Sequence, residues 1–85
     1  MKKDKDKYVR TTNLNVAVFL FTNNQQISGI NPINNEQKEF AFIKTDYLEE
    51  LIYLYKFANK DDERLLVPVH KYEQARRELL ERLRD

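Results

Sequence analysis

Between Leu14 and Phe21 the chain reads Leu-Asn-Val-Ala-Val-Phe-Leu-Phe, with Asn15 its only polar side chain. A helix of that composition is apolar all round and has to be covered on every side; as a strand, both its faces would need cover. The chain has 85 residues, and a domain of that size buries only about 60–70% of its unfolded surface. Either two further helices and a small sheet wrap this element, or part of its surface meets a second copy of the chain. Thr11, Thr12 and Asn13 just ahead offer side-chain oxygens to the unpaired amides of a first helical turn, and the reading is a helix capped by Thr12. Leu14, Ala17, Val18 and Phe21 then share one face, with Val16, Phe19 and Leu20 around the rest.

Ahead of this helix, residues 1–10 form a charged leader, with Lys2, Lys3, Lys5, Lys7 and Arg10 against Asp4 and Asp6. It holds too little apolar area to offset its ordering entropy and is expected to be disordered, with residues 11–85 forming a single domain. After the helix, Gln26 to Ile33 and Glu36 to Lys44 read as a β-hairpin turning on Asn34-Asn35, because asparagine tolerates the positive φ of a two-residue turn. That turn would set Ile27 opposite Phe42, Gly29 opposite Phe40, Asn31 opposite Lys38 and Ile33 opposite Glu36. A longer loop over residues 31–37 is the alternative. Pro32 lacks a backbone donor and marks an edge strand.

A second helix opens at Thr45-Asp46, with acidic residues in its first turn where the helix dipole favours them. Its inner side carries Tyr47, Leu48, Leu51, Ile52, Leu54, Tyr55 and Ala58; Tyr53 and Phe57 lie one turn apart on the outer side, near Lys56 and Lys60. Asn59 to Arg64 is a charged connector. Leu65 to Val67 is extended ahead of Pro68, either as a third strand or as a pin on the core. The last helix starts at Pro68, with Tyr72, Ala75, Leu79 and Leu83 at helical spacing and Glu73–Arg77 and Glu78–Arg82 as exposed i,i+4 pairs. The fold class is therefore α+β, a small single domain in α-β-β-α-α order, an antiparallel β-hairpin packed against three helices.

Composition narrows the chemistry. With a single glycine and no cysteine, the chain lacks the amide-rich loops that cradle phosphates and any thiolate metal site. His70 and Ser28 are the sole histidine and serine, with no pattern tying one to the other. No cofactor, metal or small-molecule substrate is expected, and no enzymatic activity. A formal charge of +1 gives no overall field toward nucleic acid or an anionic membrane. No apolar stretch reaches the length of a bilayer span. The absence of cysteine suits a reducing cytoplasm.

The series T-T-N-L-x-V-A-x-F-L over Thr11 to Leu20, I-S-G-I over Ile27 to Ile30, F-A-F over Phe40 to Phe42, V-P-V over Val67 to Val69 and Y-x-x-A-x-x-E-L over Tyr72 to Leu79 resembles a family of small bacterial and phage proteins, domain of unknown function 5659. The resemblance spans Thr11 to Leu83. It implies the α-β-β-α-α order and a bacterial or mobile-element setting, and brings no catalytic residues. Members usually have a shorter turn and connector than residues 31–37 and 59–64.

Two functional expectations follow. The first is a non-enzymatic interaction module that associates with itself or another protein, most simply as a dimer, through Val16, Phe19, Leu20, Tyr53 and Phe57. The second is a nucleic-acid-binding accessory protein contacting phosphates through Lys2, Lys3, Lys5, Lys7 and Arg10 of the leader with Lys56, Lys60, Arg76 and Arg77 of the helices.

Overall fold

Asn13, rather than Thr12, caps the first helix. Its Oδ1 accepts hydrogen bonds from the backbone of Asn15 (2.9 Å) and Val16 (3.2 Å), while Thr11 Oγ1 braces the Asn13 amide at 3.1 Å. The short asparagine side chain reaches back to its own next turn, which the Thr12 side chain, one residue earlier, does not do here. The helix, α1, runs Leu14–Thr22. It ends with Asn24 in the left-handed region at φ 66°, the Gln25 amide bonded to the Leu20 carbonyl and the Asn24 amide to that of Phe21. That is the Schellman closure, with asparagine in the place glycine usually takes.

The computed structural model describes residues 7–84. Its elements are β1 (Tyr8–Thr11), α1, β2 (Ile27–Pro32), β3 (Lys38–Ile43), α2 (Asp46–Phe57), a single 3-10 turn (Glu63–Leu65) and α3 (Val69–Arg84). The α+β class holds, and the hairpin and three helices are present. A strand precedes them: β1 pairs antiparallel with β3 to give a three-stranded sheet ordered β1-β3-β2. Tyr8 to Arg10, expected within a disordered leader, are therefore part of the sheet. Their alternation explains it, since Val9 and Thr11 align with Phe42 and Phe40 while Tyr8 and Arg10 align with Ile43 and Ala41. Met1 to Asp6, the rest of that leader, lie outside the described residues.

The hairpin register agrees with expectation at one pair, Ile27 with Phe42, and departs beyond it. A bulge at Ser28 moves the following pairs by one, so Gly29 meets Ala41, Ile30 meets Phe40 and Asn31 meets Glu39. The loop is the longer one, Ile33 to Gln37, closed by Ile33 N to Gln37 O at 2.9 Å. Asn34 Oδ1 holds it by accepting from the Glu36 and Gln37 amides, both at 2.9 Å. The bulge has a packing reason. It sets Ile27 and Ile30 on the same face as Phe40 and Phe42, against the helices, whereas strict alternation would have turned Ile30 away. Gly29 lies on the opposite face, where an added Cβ would meet nothing within 4 Å. Pro32 ends β2 on the edge of the sheet, as its missing donor requires.

The core forms around α1. Val16, Ala17, Val18, Phe19 and Leu20 are all buried, closed in by Phe40 and Phe42 of the sheet, Leu48 and Leu51 of α2 and Ala75 and Leu79 of α3. Tyr55 of α2 packs its ring on Phe19 at 5.5 Å. Arg82 of α3 sits over the Phe21 ring at 5.3 Å, a cation–π contact in place of the expected Glu78–Arg82 pair. One chain thus buries the centre of this helix from Val16 to Leu20, with Leu14 and Phe21 at its ends partly covered. The Lys38 ammonium donates to the Leu83 carbonyl in the last turn of α3, a cation at the negative end of the helix dipole that ties the sheet to α3.

Leu65 to Val67 do not form a strand; the third strand is β1. The segment instead alternates, with Leu65 and Val67 packed on the core and Leu66 turned to solvent. Asp62 caps the 3-10 turn, its Oδ1 accepting from the Arg64 amide at 2.9 Å. Helix α3 begins one residue after Pro68, whose carbonyl accepts from Tyr72 N at 3.0 Å.

Candidate functional site

Among the five candidate interface residues, the structure separates two groups. Val16, Phe19 and Leu20 are buried within the single chain and present nothing to a partner. They belong to the core, and their proposed place at an interface is corrected: the sheet, α2 and α3 together supply the cover that a second copy was expected to give.

Tyr53 and Phe57 remain at the surface, 67% and 68% exposed. Their positions follow from the local fold of α2. Thr45 Oγ1 caps the helix by accepting from Leu48 N at 2.9 Å, and burial of Leu48, Leu51 and Leu54 fixes which side faces α1. Residues four apart are neighbours on a helix, so Tyr53 and Phe57 stack on the opposite side, with ring centroids 4.8 Å apart and planes tilted by 47°. Two shallow hollows flank the pair. One is bordered by Val9, Glu49, Ile52 and Lys56, the other by Glu50, Leu54, Ala58 and Arg64. The described charges around this face are Asp46, Glu49 and Glu50 toward the start of α2 with Lys44 just ahead of it, Lys56 near its end, and Arg64 of the connector turn beside the second hollow. Glu49 makes an exposed ion pair with Lys44 at 3.5 Å.

A second concave surface lies between the connector and α3. It is an open groove of about 820 Å³, with Leu65, Val67, Tyr72 and Leu80 along it, the exposed Leu66 and Val69 beside them, and Glu73, Arg76 and Arg77 as its charged groups. Neither arginine forms an ion pair among the described residues. The expected Glu73–Arg77 pair is absent, Glu73 lying instead 3.9 Å from His70 Nδ1.

The residues expected to contact nucleic acid are not brought together. Lys56 stands beside Tyr53 and Phe57, Arg76 and Arg77 at the α3 groove, and Lys60 in the connector after α2. Arg10 lies on the sheet face away from the helices, 3.5 Å from Glu39 and over the Tyr8 ring at 5.8 Å. Lys7 precedes β1, its carbonyl accepting from Lys44 N. Lys2, Lys3 and Lys5 lie outside the described residues.

As for reactive groups, Ser28 occupies the β2 bulge and His70 the first turn of α3. No group of three or more His, Cys, Asp or Glu side chains among the described residues is placed to hold a metal. The most perturbed carboxyl is that of Asp62, which Arg64 lowers to about 2 by side-chain and backbone hydrogen bonds at the connector turn. This is a turn lock rather than a reaction centre. No described helix is long and apolar enough to cross a membrane.

The architecture is that of a small α+β domain with one uncovered aromatic helix face. Comparison with family models, with curated proteins and with solved structures gives no match for the chain.

Proposed function

We propose that the chain is a non-enzymatic interaction module that self-associates through the solvent face of α2. The observation that carries this reading is the Tyr53–Phe57 pair, two stacked rings left more than half exposed in a domain that otherwise covers its largest apolar element. Burying a large apolar side chain fully is worth about 1.5–3 kcal/mol, and aromatic residues are enriched where protein interfaces form. The sheet edges offer less. The β2 edge carries a bulge and Pro32, and the short β1 edge carries Arg10, devices that discourage strand-to-strand pairing. The resemblance to domain of unknown function 5659 supports a bacterial or phage setting, and the cysteine-free sequence suits the cytoplasm.

Sedimentation equilibrium of the wild type and of Tyr53→Ser over a concentration series tests the reading. The expected result is a weak dimer for the wild type and a monomer of unchanged melting behaviour for the variant. A wild type that stays monomeric throughout would end it. In that case, binding to nucleic acid that falls steeply with added salt and needs Lys56 with Arg76 and Arg77 would favour the phosphate-contacting alternative.

A further inference from the structure

The exposed side of α2 is polarised along its axis. Asp46, Glu50, Tyr53 and Phe57 follow four-, three- and four-residue spacings, which keep side chains on the line where one helix meets another. Glu49 and Lys56 lie seven residues apart on a single flank of that line, bordering the same hollow as the two rings. Asp46 and Glu49 stand in the first turn and Lys56 in the last, with Lys60 just beyond, while the neighbouring cations Lys44 and Arg64 are engaged by Glu49 and Asp62.

Turned end for end, such a face is complementary to itself. Its acidic half meets a basic half, Tyr53 meets Tyr53 at the centre, and the two helix dipoles run in opposition. A parallel arrangement would set acid beside acid and lysine beside lysine.

On the reading that this face is an interface, we infer that its partner is a second copy of the chain, α2 packed antiparallel on α2 across a two-fold axis near Tyr53, with Glu49 of each copy beside Lys56 of the other. Forming that contact asks Glu49 to exchange Lys44 for Lys56, which costs little because the Lys44 pair is exposed and 3.5 Å long. A helix of 12 residues is about 18 Å long. The buried area therefore falls at the small end of specific interfaces, and the dimer dissociates on dilution.

Charge reversal tests the pairing by sedimentation equilibrium, with circular dichroism melts showing that every variant is folded. Glu49→Lys and Lys56→Glu each place like charges together twice in a homodimer, and each is expected to weaken association roughly tenfold. An equimolar mixture of the two variants, and the double variant alone, are expected to associate as the wild type does, because every reversed charge then faces an opposite one. If Tyr53→Ser abolishes the dimer while the reversals have no effect, or if mixing restores nothing, the antiparallel pairing is wrong and the α2 interface stands. A wild type that never dimerises, or a dimer indifferent to Tyr53→Ser, overturns both.

Discussion

Asn13 and Asn24 close the two ends of α1 by different means, and each makes a distinct prediction. Asn13 satisfies two amides of the first turn, so Asn13→Ala is expected to cost about 1 kcal/mol in a urea melt. Thr12→Ala, one residue earlier, should change little; the reverse ranking would return the cap to Thr12. Asn24 holds a left-handed backbone at φ 66°, so a β-branched Asn24→Val is expected to destabilise where Asn24→Gly does not. The sequence showed a run of capping residues here and was read with Thr12 as the cap, one residue early, because Thr11, Thr12 and Asn13 all carry a suitable oxygen. Asp62 belongs to the same scale. Its carboxyl is held below the ordinary carboxylate value of 3.8, at about 2, by Arg64, so its contribution to the connector turn is present above the unfolded value and is lost as pH falls through about 2. An NMR titration of the Arg64 Nε–H resonance should move with that midpoint. A midpoint at the ordinary aspartate value would mean that the hydrogen-bonded turn is not held in solution.

Among the elements, α1 and α2 divide the apolar surface between core and exterior. Phe19 and Leu20 are buried against the sheet, α2 and α3, so Phe19→Ala is expected to destabilise by about 3–5 kcal/mol and Phe19→Glu to unfold the domain. A folded Phe19→Glu variant that merely failed to associate would contradict this placement. The need to cover α1 was legible from its composition, but whether one chain or two supplied the cover was not, since burial in a core and burial at an interface leave the same apolar pattern. The outward placement of Tyr53 and Phe57 was legible because Leu48, Leu51 and Leu54 fix the inner side of α2, although Tyr47 and Tyr55, expected on that side, are 51% and 37% exposed. The hairpin was less so. A bulge adds one residue without any change in composition, and only the gain from turning Ile30 inward explains why it sits at Ser28. That same shift leaves Gly29 opposite Ala41 with open space around it, so Gly29→Ala is expected to leave the fold intact and stabilise it by about 0.4–1 kcal/mol through the unfolded chain.

For the molecule as a whole, β1 is the piece that completes the sheet, and its sequence is hidden by the lysines and aspartates before it. The signal was the alternation Tyr-Val-Arg-Thr, too short to stand out beside a charged run yet sufficient to align Val9 and Thr11 with the core side of β3. Removing residues 1–11 is therefore expected to lower the urea midpoint well below that of the full chain, by uncovering the β3 edge and the Val9 contact. An unchanged midpoint would mean the strand contributes nothing. With β1 in place, α1 buried and both sheet edges guarded, Tyr53 and Phe57 of α2 stay exposed, and the proposal is that the domain meets another copy through them. The measurement that goes most directly to this claim is a dilution series of backbone-labelled protein followed by two-dimensional NMR. Amide shifts that depend on concentration should be confined to α2 between Asp46 and Phe57 and its immediate neighbours, while Val16, Phe19 and Leu20 stay fixed. Shifts centred on α1 or the α3 groove, or none across the accessible range, would contradict the account.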